Sequence, residues 1–120
     1  MSEKVLTSTQ LTPILAQARV QKKRIVFTNG CFDLLHHGHI HLLNTARSFG
    51  DVLIVGLNTD ASVSRIKPGR PVQDEQSRLR LMASLEVVDA VILFDEETPQ
   101  EIIEKILPDV LVKAQTFAFE

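Results

Sequence analysis

Four short apolar runs alternate with stretches of helical periodicity along the chain. The runs cover residues 24–28, 51–57, 87–94 and 109–113. They are almost continuously apolar, which is typical of parallel strands that are buried on both faces. The pattern therefore predicts four strands at these positions.

The stretches between the runs space their apolar residues three and four positions apart, which predicts helices. The first helix covers about residues 9–22, with Ser8 or Thr9 as its N-cap. The second ends at Gly50, a typical C-cap residue. The other predicted features are a short helix and a loop over residues 58–73, a helix capped by Asp74, and a last helix that begins at Thr98 and Pro99 and ends at Pro108.

Strands that alternate with helices of this length form βαβ units. The expected fold class is α/β: a Rossmann-like parallel sheet flanked by helices on both faces, formed by residues 1–120 as a single domain. In such a sheet, ligands bind at the carboxyl ends of the strands. The segments that follow the strands are therefore the candidates for chemistry.

Charge and composition exclude several classes of partner. The net charge is −2, so no strong field attracts nucleic acid or an anionic membrane. No stretch approaches the roughly 18–20 apolar residues of a membrane span. A single cysteine, Cys31, excludes an intrachain disulfide and fits a reducing compartment. We expect a cytoplasmic protein without nucleic-acid or membrane partners.

The segment of residues 28–39 follows the first strand and opens the second helix. Gly30 has no Cβ and would let the backbone approach a phosphate. A helix start near Gly38 would offer free N–H groups and the positive end of a dipole. His36 and His39 add two imidazoles at the same point. Since the glycine patterns of P-loop and dinucleotide-binding proteins are absent, the segment predicts a different kind of phosphate pocket.

This segment resembles a known signature. Residues 29–39 match the first motif of the cytidylyltransferase-like nucleotidyltransferases, and residues 36–39 form its HxGH sequence. Residues 58–67 and 108–113 resemble more closely the heptose-phosphate adenylyltransferase domain of ADP-heptose synthases. The likeness extends from about residue 24 to residue 113, which is most of the chain.

The resemblance implies a direct nucleotidyl transfer. A sugar 1-phosphate, expected to be heptose 1-phosphate, attacks the α-phosphorus of ATP, and pyrophosphate leaves. The product would be ADP-heptose for lipopolysaccharide core assembly. Two alternatives remain open: a CTP-dependent relative that acts on a polyol or alcohol phosphate, and a catalytically weak nucleotide-binding module.

The resemblance also implies roles for individual residues. The catalytic residues would be His36, His39 and Lys67. The nucleotide would be bound by Thr28, Asn29, Gly30, Cys31, Phe32, Gly38 and Asp60. The phosphate of the second substrate would be bound by Asp33, Arg70 and Arg78. Mg²⁺ would be held mainly by the triphosphate, and no dedicated metal site is expected.

Several of these residues have simpler interpretations. Asp33 can order its loop by accepting hydrogen bonds from backbone N–H groups, and Arg78 can form a surface ion pair. His37 and His41 are expected to be solvated or packed rather than to bind Zn²⁺. Cys31 is expected to be a small buried residue.

The chain departs from the family pattern in two places. The loop of residues 67–71 is about one residue shorter than usual. After Lys113 the sequence has residues 114–120 in place of a Gly-Gly-Asp-Tyr-like turn, and the later Ser-Thr-Thr segment is absent from these 120 residues. That absence supports the weak-binding alternative. Phe117 and Phe119 offer an apolar surface for a homodimer.

Overall fold

Helices and strands alternate in the computed structural model, which describes residues 3–96 and 98–113. The helices of these residues are α1 Ser8–Val20, α2 His37–Arg47, α3 Asp60–Ile66, α4 Glu75–Ala83 and α5 Gln100–Ile106. The strands are β1 Ile25–Gly30, β2 Val52–Asn58, β3 Ala90–Phe94 and β4 Val110–Leu111. The residues on which the homodimer prediction rests, Phe117 and Phe119, lie outside the described part of the chain.

The four strands form one parallel sheet in the order β3-β2-β1-β4. The chain moves outward from β1 to β2 and β3, and then returns across the sheet to place β4 on the other side of β1. The strand order therefore reverses between β1 and β4. A crevice at the carboxyl ends of the strands at such a switch point is the usual ligand site of an open α/β sheet.

Two apolar layers cover the sheet, one on each face. Ile25 and Phe27 of β1 pack with the buried residues of α1 and α5. Val26, between them in sequence, packs on the opposite face with α2 and α4. Successive strand residues point to opposite faces, so continuous apolar runs are what a sheet covered on both sides requires. The predicted α/β architecture is confirmed.

An aspartate stands immediately before three of the strands and pairs with the neighbouring strand. Asp89 precedes β3; its N–H donates to the Leu53 carbonyl at 2.9 Å, and its Oδ2 accepts the Leu53 N–H at 2.7 Å. Asp109, before β4, makes the same two bonds to Ile25, at 2.8 and 2.7 Å. Asp51, before β2, makes them to Arg24, at 2.9 and 2.8 Å. These pairs set where each parallel pairing begins.

The predicted ends of the helices need several corrections. Thr7, rather than Ser8 or Thr9, caps α1, because its side chain and that of Gln10 each accept the other's backbone N–H. Helix α2 has Ser48 as its C-cap, so the prediction for Gly50 is wrong.

Gly50 has a packing role instead. A Cβ there would lie 2.6 Å from Cγ2 of Val26 and 2.8 Å from the Arg24 carbonyl oxygen. Glycine therefore allows the segment after α2 to pass close to the start of β1.

The last helix and the last two strands are shorter than predicted. Pro99 is the N-cap of α5 and makes no side-chain cap bond. The helix ends at Ile106, and Leu107, its C-cap residue, has a left-handed conformation. Strand β3 begins at Ala90, and β4 pairs only through Val110 and Leu111. Strand pairing depends on the neighbouring strand, which an apolar run alone does not define. None of the helices in the described ranges has the length and hydropathy of a membrane-crossing helix.

Candidate nucleotide-binding site

The segment between β1 and α2 forms a loop at the carboxyl end of β1. Phe32 has a positive φ of 47° and is only 5 % exposed, so its ring packs into the core. A Cβ on Gly30 would lie 2.9 Å from Cε2 of Phe32. Gly30 therefore leaves the space that this ring occupies. That Gly30 also lines the phosphates of a nucleotide stays a prediction.

Two histidines at the start of α2 hold each other in place. His36 is the N-cap residue: its Nδ1 accepts the Gly38 N–H at 3.0 Å, and its own N–H donates to Nδ1 of His39 at 3.2 Å. The two ring centroids are 4.0 Å apart, and the His39 ring also meets Phe32 edge-on. Because both Nδ1 atoms accept, Nε2 is the nitrogen of each ring that is left to donate a hydrogen bond.

Gly38 makes this arrangement sterically feasible. A Cβ at this position would lie 2.8 Å from Cε1 and 3.0 Å from Nδ1 of His36. The sequence predicted a free N–H at this helix start, but the Gly38 N–H is already bonded to the His36 ring. The His39 N–H is likewise bonded to the His36 carbonyl, at 3.0 Å. The imidazoles, rather than these amides, are therefore the donors that the helix start presents.

Arg78 is fully buried, with a relative exposure of 0 %, so the expectation of a surface ion pair is wrong. Four hydrogen bonds engage its guanidinium. The acceptors are the Gln73 carbonyl at 3.0 Å, the Cys31 carbonyl at 2.9 Å, the Asn58 carbonyl at 2.7 Å and Oδ1 of Asp60 at 2.7 Å. A side chain in this state has no exposed surface for the phosphate contact that the resemblance implied. Its guanidinium instead stabilises the carboxyl ends of β1 and β2 through the bonds to the Cys31 and Asn58 carbonyls.

Asp33 accepts hydrogen bonds from the loop that precedes α4. Its two oxygens accept the Val72 N–H at 3.0 and 2.8 Å and the Gln73 N–H at 2.8 Å, and Oδ2 also pairs with Nη1 of Arg70 at 3.0 Å. These bonds support the interpretation that Asp33 orders a loop.

The pKa of Asp33 reflects the same contacts. Burial raises the pKa of its carboxyl, but the amides of Gln73 and Val72 and the nearby arginine charges outweigh that effect. The pKa of Asp33 therefore lies below its ordinary value, and the group is a carboxylate at neutral pH.

The loop of residues 67–73 connects α3 with the cap of α4. Lys67 is the C-cap residue of α3 and is half-buried, and Arg70 keeps part of its guanidinium exposed beside Asp33. The loop therefore begins with one cation and carries a second at the point where Asp33 holds it. That Lys67 reaches a phosphate stays a prediction.

The remaining predicted nucleotide ligands lie at the ends of β1 and β2. Thr28 is fully buried, and its hydroxyl donates to the Val112 carbonyl at 2.8 Å, which ties β1 to the segment after β4. Asn29 and Cys31 are half-buried rather than buried. Asp60 is half-exposed at the start of α3 beside Arg78. The fold thus gathers these residues at one edge of the sheet.

Asn58 and Thr59 also lie at this edge of the sheet, although the sequence analysis gave neither residue a role of its own. Asn58 is 4 % exposed; its amide donates to the Ser62 hydroxyl at 2.9 Å, and its Oδ1 lies 3.8 Å from the Cys31 sulfur. Thr59 is the N-cap of α3 and accepts the Ser62 N–H at 3.1 Å. The available signal was a buried apolar run that ends in two polar residues at the carboxyl edge of the sheet.

Within residues 3–96 and 98–113, no group of three or more histidine, cysteine, aspartate or glutamate side chains could hold a metal ion. His37 and His41 are both exposed on α2.

The strand order and the paired imidazoles at the switch point are typical of the α/β nucleotide-binding proteins. Comparison with known families identifies the group more narrowly. The chain belongs to the cytidylyltransferase-like family of nucleotidyltransferases, whose sequence model matches residues 27–119.

Close relatives include three proteins called bifunctional protein HldE. The one from Azorhizobium caulinodans is 57 % identical over 106 residues, which cover 88 % of this chain and 22 % of the relative. Those from Koribacter versatilis and Methylobacillus flagellatus are 53 % and 54 % identical and cover 96 % and 97 % of this chain. In both cases the match covers 24 % of the relative. The chain therefore spans about a quarter of the length of these relatives.

Two solved structures share the fold. A lipopolysaccharide core biosynthesis protein from Thermoplasma volcanium superposes with a TM-score of 0.68 at 38 % identity, over 74 % of this chain and 72 % of that one. A pantoate–β-alanine ligase from Francisella tularensis, solved with β-γ ATP and β-alanine, has a TM-score of 0.57 at 25 % identity, over 86 % of this chain and 38 % of that one.

Proposed function

We propose that this chain transfers AMP from ATP to heptose 1-phosphate, giving ADP-heptose and pyrophosphate. A phosphate oxygen of the sugar 1-phosphate attacks the α-phosphorus and forms a new P–O bond, while the bond to the β-phosphate breaks. The HldE relatives and the lipopolysaccharide-related structure support the sugar substrate. The β-γ ATP in the structure of the Francisella ligase supports the choice of ATP as the nucleotide.

The observation that carries the proposal is the locked pair of imidazoles at the switch point of the sheet. Both Nδ1 atoms accept backbone N–H groups, so the rings of His36 and His39 cannot turn over without breaking these bonds. Donors that are oriented before the reaction lose little free energy when negative charge shifts onto the α-phosphoryl oxygens and the leaving group. In phosphoryl transfer, such positioning and charge stabilisation supply most of the catalysis.

The other residues would have supporting roles. Lys67 and Arg70, on the loop that Asp33 holds, would neutralise the phosphate of the sugar substrate. Mg²⁺ would enter with the triphosphate, since this ion is usually bound through substrate phosphates rather than in a cage of protein ligands. We place the reaction in the cytoplasm, which the single cysteine supports.

Pyrophosphate release tests this proposal directly. The 120-residue chain would be incubated with Mg²⁺, heptose 1-phosphate and either ATP or CTP, beside His39→Ala and His41→Ala variants. His41 is exposed on the same helix but takes no part in the His36–His39 pair, so it is the matched control. We expect release with ATP that falls by a factor of about 10² or more in His39→Ala, the cost of losing an oriented donor, and persists in His41→Ala.

The other outcomes contradict specific parts of the proposal. Release with CTP in preference to ATP would overturn the choice of nucleotide. Binding of ATP without release would favour a nucleotide-binding module over an enzyme. An equal loss of pyrophosphate release in both variants would show that the activity does not depend on the His36–His39 pair.

A further inference from the structure

The backbone of Gln73 is held from two sides, by the side chain of Asp33 from the loop after β1 and by that of Arg78 from α4. Its N–H donates to Oδ1 of Asp33 at 2.8 Å, and its carbonyl accepts Nε of Arg78 at 3.0 Å. The preceding amide, that of Val72, also donates to Asp33, although the Val72 side chain is 65 % exposed. The end of the loop is thus fixed by its backbone and not by apolar packing.

These contacts close into a ring. Nη1 of Arg78 donates to the Cys31 carbonyl at 2.9 Å, and Cys31 lies two residues before Asp33. The path runs from Asp33 to Gln73, from Gln73 to Arg78, from Arg78 to Cys31, and back along the chain to Asp33. We call this ring of four residues the Gln73 clamp.

The ring is anchored firmly. Arg78 is fully buried and also donates to the Asn58 carbonyl at 2.7 Å and to Asp60 at 2.7 Å. If the guanidinium is removed, water cannot easily replace it, and buried acceptors remain unsatisfied. A lysine ammonium cannot span these acceptors, because it is a compact charge without the planar fork of arginine.

We propose that Asp33 and Arg78 are positioning residues that act as one unit, the Gln73 clamp, to hold the loop of residues 67–73 beside the imidazole pair. The proposal rests on the proposed function, because it assigns Lys67 and Arg70 of this loop to the phosphate of the sugar substrate. Neither Asp33 nor Arg78 contacts a substrate in this role. They act through the loop.

The first test measures the clamp without any reference to catalysis. Amide hydrogen exchange at Val72 and Gln73, followed by NMR in the whole chain, reports the bonds to Asp33. In Asp33→Asn, one acceptor oxygen is replaced by an NH₂ group that faces these donors. We expect exchange at both amides to become about tenfold faster or more, as expected for local opening. Glu86→Gln removes an exposed carboxylate elsewhere and is the charge-matched control.

The second test concerns Arg78. In Arg78→Lys the charge is kept but the forked donor is lost, so the amides of Val72 and Gln73 should again exchange faster. Arg80→Lys, on the exposed side of the same helix, should leave them unchanged. Thermal unfolding of both variants shows whether the fold is retained. Should Arg78→Lys fail to fold, Asp33→Asn carries the test.

The kinetic readout separates positioning from a general structural role. A loosened loop should lower kcat/KM for heptose 1-phosphate by about 10- to 100-fold, since small displacements are costly in a positioned reaction. In Asp33→Asn, the dissociation constant for ATP should change by no more than about twofold, because the imidazole pair is intact and Arg78 keeps its bonds to Cys31 and Asp60. A variant that combines Asp33→Asn with Arg78→Lys should lose no more of its kcat/KM than the more damaging single variant, because the two residues belong to one ring.

Each outcome has a clear consequence. Unchanged exchange in Asp33→Asn overturns the clamp. Faster exchange with unchanged kcat/KM overturns its positioning role. Additive losses overturn the claim that the residues act as one unit. If the wild-type chain shows no turnover, the positioning role falls together with the proposed function, while the exchange data still decide whether the clamp exists.

Discussion

Three glycines of this protein lie where neighbouring atoms occupy the space that a Cβ would need. Next to Gly30 lies the ring of Phe32, next to Gly38 lies the imidazole of His36, and next to Gly50 lies the backbone of Arg24. The sequence showed that glycine stands at these positions. It did not show which neighbour requires it, because that neighbour is found only once the loop has folded.

Gly38→Ala should damage the site more than the fold. Its Cβ would meet an exposed side chain, so His36 can swing aside, but the swing breaks the bond between Nδ1 and the Gly38 N–H. We expect pyrophosphate release to fall at least about tenfold through lost orientation. The free energy of unfolding should change by less than about 1 kcal/mol. Urea unfolding and the activity assay on the same sample decide the matter.

Gly50→Ala should do the opposite. The new Cβ meets Cγ2 of Val26 at 2.6 Å and a backbone carbonyl at 2.8 Å, and backbone cannot swing aside. Overpacking of this kind costs about 1–3 kcal/mol. The activity of the folded fraction should remain at the wild-type level. A variant that is as stable as the wild type would contradict the close approach between this segment and β1.

At the scale of elements, the recurring device is the aspartate before a strand. The apolar runs predicted strands that included Asp51 and Asp109, whereas both residues stand before their strands and bond sideways to β1 or to the residue just before it. The signal was present in the sequence as an aspartate at the start of or within three of the four apolar runs. Its meaning depended on the strand order, because each aspartate bonds at or just before the beginning of a neighbouring strand.

Replacement of these aspartates by alanine should destabilise the protein in a graded way. Leu53 and Ile25 are fully buried, so Asp89→Ala and Asp109→Ala leave donors that water reaches poorly, at a cost of about 1–3 kcal/mol each. The amide of Arg24 is more accessible, and Asp51→Ala should cost less than about 1 kcal/mol. Equilibrium unfolding of the three variants in urea measures how their losses of unfolding free energy compare. A cost for Asp51→Ala that equals the other two would refute this account.

At the scale of the whole molecule, the site and the sheet depend on each other. The imidazole pair, the loop of residues 67–73 and the buried Arg78 all lie at the carboxyl edge of a sheet whose order reverses between β1 and β4. A ligand that binds across this edge binds only the folded chain. Nucleotide binding should therefore stabilise the fold.

Saturation with ATP and Mg²⁺ should raise the midpoint of thermal unfolding. At about 100 times the dissociation constant, linkage contributes about 2.7 kcal/mol, which for a domain of this size is on the order of 10 °C. The shift should shrink in His36→Ala, whereas His41→Ala should retain it. A larger shift with CTP than with ATP would contradict the proposed nucleotide, and the absence of any shift would contradict nucleotide binding by this chain.

The sequence by itself determined the elements and the place of the motif. Continuous apolar runs and helical spacing are local properties, so they predicted the strands, the helices and the covered parallel sheet. The HxGH histidines, His36 and His39, were recognised by their resemblance to a family motif. That motif is also local, because the two residues lie three positions apart and interact across one helical turn.

Only the tertiary structure decided which loops meet. Arg78 bonds to Cys31, 47 positions away, and Asp33 bonds to Gln73, 40 positions away. From the sequence, Arg78 fitted a surface pair or a phosphate ligand equally well, since both need only a cation on a helix. Its burial depends on the strand order, because this order places the ends of β1 and β2 side by side, where both can bond to Arg78 of α4. Such long-range pairing is a property of the assembled sheet and is not encoded in the spacing of nearby residues.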